Sequence, residues 1–180
     1  SLLHIVNHVV HTGALFFLVG MFDDGAHTRS IHDFRGVARI MPVFATFFLI
    51  AMFSSLGLPG TNGFVGEFLI LVGTFKQTAL GLQPYAIVAG MGVILGAIYM
   101  LWMYQRAMQG PPREPVVDGH AIHLTDLNSR EIAVLVPLVI MILWIGIYPK
   151  PFLDRSAASI SAIGERVAQG SGNTLLASGR

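Results

Sequence analysis

The sequence predicts an all-α, polytopic membrane protein, with about five transmembrane helices and then a C-terminal amphipathic helix. Three observations predict it. Hydrophobic residues make up 53% of the chain and charged residues 12%, about half the ~25% charge of an average soluble domain, and mean hydropathy is +0.66. The blocks Ile40–Gly66, Gln77–Gln105 and Ile132–Pro149 carry no charge, and each is long enough at ~1.5 Å per residue to cross a hydrocarbon core ~30 Å thick. Leu2–Met21 is also charge-free when its histidines are neutral, and Phe68–Phe75 completes a weaker segment that begins near Pro59.

In chain order the segments fall at about 1–21, 40–57, 60–78, 84–106 and 131–149. The first starts at Ser1 with no basic region before its apolar run, so no signal peptide is expected. The chain is instead expected to be the C-terminal part of a longer membrane protein. Phe22–Arg39 carries both signs of charge and reads as a loop. Gln109–Glu131, with "GPPREP" and "DLNSRE", reads as the longest connection. Its end offers Asn128 or Ser129 as an N-cap, with Glu131 in the first turn of the last span. Beyond "YPKP", Leu153, Ala157, Ile160, Ile163 or Gly164, and Val167 recur at helical spacing, the mark of an amphipathic helix lying in the membrane interface. The expected organisation is a transmembrane bundle over 1–150, an interfacial helix over 151–168 and a disordered tail over 169–180.

Glu67 is the only charge between Arg39 and Lys76. Ionisable side chains inside membrane segments are costly and mark proton or ion pathways or buried pairs. A structural ion pair, or a carboxylate reaching the headgroups, is the plainer reading. The preceding "GLPGTNGFVG" supplies Pro59 and four glycines, which break or loosen a helix. A broken helix inside a membrane survives where protein or water satisfies the freed backbone, and transporters build ion sites on such breaks. Glu67 thus reads as a proton-binding group.

His4, His8 and His11 stand at i, i+4 and i+7 and share one face of the first helix, with Asn7 and Thr12 beside them. Imidazole accepts on one nitrogen while donating from the other, so the stripe reads as a polar wire. Hydrogen bonds between helices and a metal site are the rival readings. Asp23, Asp24, His27 and His32 in the first loop, and His120 with His123 in the long loop, lack diagnostic metal spacing. The net charge of +1 implies no nucleic-acid partner, and the absence of cysteine excludes disulfides and thiolate chemistry. "GLPGTNG" lacks the Lys-Ser/Thr of a phosphate-binding loop, and neither a dinucleotide fingerprint nor a GxSxG elbow is present.

The stretches "HVVHTGALFFLVGMFDDGAHTRSIHDFRG", "MPVFATFFLIAMFSSLGLPGTNGFVGEFLIL", "ILGAIYMLWMYQRAMQG" and "REIAVLVPLVIMILWIGIYPKPFLD" together resemble, in order, the C-terminal third of the subunit M (chain 4) family of proton-pumping NADH:quinone oxidoreductase, respiratory complex I. The likeness covers about residues 3–160, and "LPGTNGFVGEF" and the "HTR" loop carry it most specifically. The wider superfamily includes Mrp-type cation/proton antiporter subunits and membrane-bound hydrogenase subunits. The resemblance implies a proton-translocating membrane-arm subunit, with NADH oxidation and quinone reduction on other subunits and no cofactor in this chain. It implies the second half of an inverted repeat, with Glu67 at the exit position, His8 at the relay histidine, and a discontinuous helix carrying Glu67. His4 and His11 fall outside the family's pattern. The implied partners are other membrane-arm subunits, the lipid bilayer and protons, in a bacterial inner membrane. Family topology implies that loop 107–130 is cytoplasmic and loop 22–39 opposite, whereas the basic residues favour the reverse. A Mrp-type antiporter, a hydrogenase subunit and a purely structural fragment are the alternatives.

Overall fold

A computed structural model of the chain describes residues 2–26, 34–78, 81–113, 116–117, 120–155 and 161. Its helices are α1 (Leu2–Ala26), α2 (Val37–Ile40), α3 (Pro42–Ser55), α4 (Asn62–Lys76), α5 (Gln83–Met108) and α6 (Ser129–Ile147). Within the α5–α6 connection, β1 (Val116–Val117) and β2 (His120–Ala121) form a two-residue antiparallel pair. All five apolar segments are helical. α1, α5 and α6 are long and apolar enough to cross a membrane. Residues 150–155 begin a further helical stretch where the amphipathic helix was expected. Most of that helix and the whole 169–180 tail lie outside the described residues.

Local chemistry sets the helix ends. Pro42 opens α3 at a position where its missing N–H costs nothing. The Asp126 carboxylate, arriving from the long connection, accepts from the N–H groups of Val43 (2.8 Å) and Phe44 (2.9 Å). The expected cap of the last helix is present: Asn128 Oδ1 accepts from Arg130 N and Glu131 N, and the Glu131 carboxylate accepts from Asn128 N. α1 runs one turn further than expected. Asp23 and Asp24, assigned to a loop by sequence, therefore stand on its last turn.

The core forms where α1, α3, α5 and α6 meet, around Leu18, Phe22, Phe44, Phe48, Met52 and Leu135. An aromatic ladder runs through it, with ring centroids 4.7 Å apart for Phe34–Phe22, 5.6 Å for Phe22–Phe44, 6.0 Å for Phe44–Phe48 and 6.3 Å for Phe48–Tyr104.

The same contacts fix helix direction. Phe22 of α1 meets Phe44 near the start of α3, while Asn7 of α1 bonds Asn62 at the start of α4, which itself pairs with Ser54 at the end of α3. Gly66 of α4 then lies against His4. Both α3 and α4 therefore run opposite to α1, end to end with each other. With 14 and 15 residues they measure about 21 and 22 Å, each short of a ~30 Å core. They are the two halves of one interrupted crossing, broken at residues 56–61.

This parity corrects the expected sidedness. Arg35 and Arg113 exchange backbone hydrogen bonds (3.2 and 2.8 Å), so the α1–α3 and α5–α6 connections lie at the same end of the bundle, not opposite ends. Two segments counted as separate crossings make one, and each later connection changes sides. The described basic residues then divide as Arg35, Arg39, Arg106, Arg113 and Arg130 at this end, against Lys76, Lys150 and Arg155 at or beyond the other.

Candidate functional site

Glu67 stands in the second turn of α4, and its side chain folds back onto the break. Gly57, with φ of +68°, lies directly under the carboxylate, and a Cβ there would collide with Glu67 Oε2. Glycine is needed at this position both for the left-handed backbone and for the room it leaves. A cleft of about 360 Å³ opens beside the carboxylate, lined by His4, Ser55, Leu56 and Glu67 and, on α5, by Gly92 and Gly96. Ala89, Val93, Tyr99 and Met100 complete the α5 wall between and beyond these glycines. The carboxylate makes no hydrogen bond to the described residues.

The break is held by a polar clasp between α1 and α4. Asn7 Nδ2 donates to the Asn62 carbonyl oxygen (2.7 Å), and Asn62 Nδ2 donates to the Asn7 carbonyl oxygen (3.1 Å). Ser54 Oγ, from the last turn of α3, donates to Asn62 Oδ1. All three residues are fully buried. Gly63 and Gly146 let the backbones close around this point: a Cβ on Gly63 would strike the Ser54 carbonyl, and one on Gly146 of α6 would strike Gly60 and Thr61.

The three histidines do come together on one arc of α1, but with unequal burial. His8 lies 6.3 Å from His4 and 5.2 Å from His11 between ring centroids. His4 is half-buried and reaches the Glu67 cleft. His11 is buried, with 2% exposure. His8 faces outward, its Nδ1 3.5 Å from Thr12 Oγ1. Among the described residues no group of three or more histidine or acidic side chains is placed to hold a metal. His27 and His32 lie outside the described residues, while Asp24 and His123 are exposed and belong to no such group.

Sequence reasoning singled out Glu67 and the histidines and passed over Asn62, Ser54 and Asp126. Asn62 did carry a signal: it is an amide in the charge-free block that ends just before Glu67. Asp126 carried none, because its partners lie 82 and 83 residues away.

Comparison with known proteins bears on the same residues. The family model described as NADH:quinone oxidoreductase/Mrp antiporter, TM, matches residues 1–96, including the break and Glu67. A NADH-quinone oxidoreductase subunit M of Rickettsia felis is 37% identical over 91% of this chain and 31% of its own length. A NADH-ubiquinone oxidoreductase chain 4 of Arabidopsis thaliana is 38% identical over 89% of this chain and 31% of its own. The chain thus spans about a third of the length of these curated relatives. Among solved structures, a chain of respiratory complex I from Thermus thermophilus with bound NADH superposes with a TM-score of 0.65 at 31% identity, over 79% of this chain and 28% of that one.

Proposed function

The chain belongs to the NADH:quinone oxidoreductase/Mrp antiporter transmembrane family, and on that premise we propose that it carries part of a proton pathway in the membrane arm of a proton-pumping NADH:quinone oxidoreductase. Residues 1–150 supply the second half of an antiporter-like repeat. Electron transfer takes place on other subunits of the complex, and this chain holds no cofactor. Its partners are the neighbouring membrane-arm subunits, the lipid bilayer and protons, and it resides in a bacterial inner membrane. The larger share of the described basic residues lies at the end bearing the α5–α6 connection, which favours that end as the cytoplasmic one by the positive-inside tendency.

One observation carries the reading: the Glu67 carboxylate is folded against a break in a membrane helix, over Gly57, in a cleft shared with His4. A carboxylate at the centre of a membrane helix costs about 2.5–3.5 kcal/mol on insertion scales, and among the described residues no ion pair at Glu67 offsets that cost. The break supplies what a proton site needs. The C-terminal end of α3 presents carbonyls and the N-terminal end of α4 presents N–H groups, so fixed dipoles of both signs surround the carboxyl. His8 and His4 connect Glu67 to the rest of the pathway, with His11 following along α1. Coupling then requires only that rearrangement elsewhere alter the proton affinity of this group, at about 1.4 kcal/mol per tenfold change.

Three substitutions in the assembled complex test the reading. Glu67→Gln keeps size and hydrogen bonding but cannot ionise, and abolishes proton pumping while the complex still assembles. Glu67→Asp retains part of the activity, and Glu67→Lys, which restores a titratable group, retains some. A purely structural carboxylate gives the reverse order, with Gln tolerated and Lys disruptive. Wild-type pumping by the Gln variant removes Glu67 from the pathway.

A further inference from the structure

The Glu67 carboxylate and the floor beneath it are both referenced to one point in the bundle. Asn62 opens α4 five residues before Glu67, so in a rigid helix it fixes Glu67, about 7.5 Å further along and ~140° around. Asn62 is itself held by Asn7 at both its side chain and its carbonyl. That reciprocal pair of hydrogen bonds (2.7 and 3.1 Å) fixes rotation as well as distance. A Cβ on Gly66 would meet His4 Cα at 3.1 Å and Asn7 Nδ2 at 3.2 Å, so the residue before Glu67 lies flush on α1. The floor takes its position from the same place. Gly57 N donates to the Ser54 carbonyl oxygen (3.1 Å), and Ser54 Oγ donates to Asn62 Oδ1. Apolar packing would also join these helices, but it is non-directional and lets them slide. A satisfied buried polar network specifies one arrangement, and setting register is the best-attested use of such groups. A slip of one residue would carry Glu67 about 1.5 Å along and ~100° around, away from Gly57.

We propose that Asn62, with Asn7 and Ser54, positions Glu67: the clasp sets where the carboxylate stands relative to Gly57 and His4, and pumping depends on that placement. This inference rests on the proton-pathway reading of Glu67. None of the three residues takes up or releases a proton; they act through the register of α4. Asn62 ties α4 to both α1 and α3, so its side chain matters most, while Ser54 contributes one hydroxyl. Positioning makes a distinctive demand on the acid. Its reach matters while the clasp holds α4 in place, and matters less once α4 has play. The two changes then disturb the same distance, and their effects do not add.

The test measures proton pumping per assembled complex in proteoliposomes, with Glu67→Asp made in the wild-type and the Ser54→Ala backgrounds and Asn62→Ala alongside. Asn62→Ala should lower pumping at least fivefold, and Ser54→Ala about two- to threefold. Glu67→Asp, one methylene shorter, should cost about three- to tenfold with the clasp intact and less than twofold beside Ser54→Ala. A role in stability alone lowers the amount of complex and leaves the cost of Glu67→Asp the same in both backgrounds, which overturns the proposal. Full pumping by Glu67→Asp with the clasp intact also overturns it, because reach is then immaterial. Should Asn62→Ala fail to assemble, Ser54→Ala, which removes a single hydroxyl, decides. Failure of that variant too makes the clasp a folding element and overturns its positioning role. Glu67→Gln separates the two readings: wild-type pumping by it removes the proton site, while its loss together with an unchanged cost of Glu67→Asp removes only the clasp.

Discussion

Replacing Gly146 by alanine should loosen the break from a distance, and the size of the effect follows from the packing. Gly146 lies in the last turn of α6, and a Cβ there would stand 2.5 Å from both Cα and C of Thr61, short of ordinary contact at 3.4 Å by about 0.9 Å. Both sides of the contact are backbone, so no side chain can rotate away, and α6 must move off the break by that amount. Overpacking of this kind costs about 1–3 kcal/mol. Alanine gains ~1 kcal/mol over glycine in a helix, leaving a net loss of up to about 2 kcal/mol, at most a factor of roughly 30 in the folded-to-unfolded ratio. Gly73→Ala in α4 is the matched comparison, because a Cβ there meets nothing within 4 Å and the helix gain stands alone. Detergent-titrated unfolding of the full-length subunit should therefore place Gly146→Ala below wild type and Gly73→Ala level with it or above. If the two variants unfold together at the wild-type midpoint, Gly146 is not wedged against the break and the packing described around Thr61 is wrong.

Two further outcomes follow from the connections at the arginine-rich end. Asp126→Ala removes the acceptor from two α3 amides and should cost about 0.5–2 kcal/mol, with Asp126→Asn recovering most of it in the same unfolding titration. Single cysteines placed at Arg35 and at Arg113 should be modified by a membrane-impermeant thiol reagent from the same side, and a cysteine at Lys76 from the other; labelling of 35 and 113 from opposite sides would refute the single interrupted crossing.

Hydropathy located all five helical segments to within a few residues, because burial in lipid is a local property that each stretch of sequence states for itself. The Asn128–Glu131 capping box was legible for the same reason, since its partners are three residues apart. Direction was not. Nothing in 40–57 or 60–78 says whether the chain turns back at Pro59 or continues, and only contacts to residues far away in sequence decide it. The histidine stripe shows the same limit. Spacing at about 100° per residue puts His4, His8 and His11 on one arc, but where the arc faces depends on the core. Ala14, Leu18 and Phe22 set the buried side, and it lies nearer Asn7 and His11 than His8. The resemblance placed the relay on His8, while the buried polar atoms lie on the residues outside the family pattern.

Asp126 also bears on how the protein is made. The cap it provides for α3 comes from a residue synthesised 82 or 83 positions after the amides it satisfies. At about 5–20 residues per second, the ribosome delivers it some 4–16 s after Val43 and Phe44 have left. During that interval α3 and α4 are two half-length helices, one with its leading amides uncapped, joined by a glycine-rich hinge. Each is too short to cross a membrane alone. The first half of the interrupted crossing therefore receives its cap only after α5 and the start of the long connection have been made. The interrupted crossing is completed from outside, by a residue that belongs to neither of its halves.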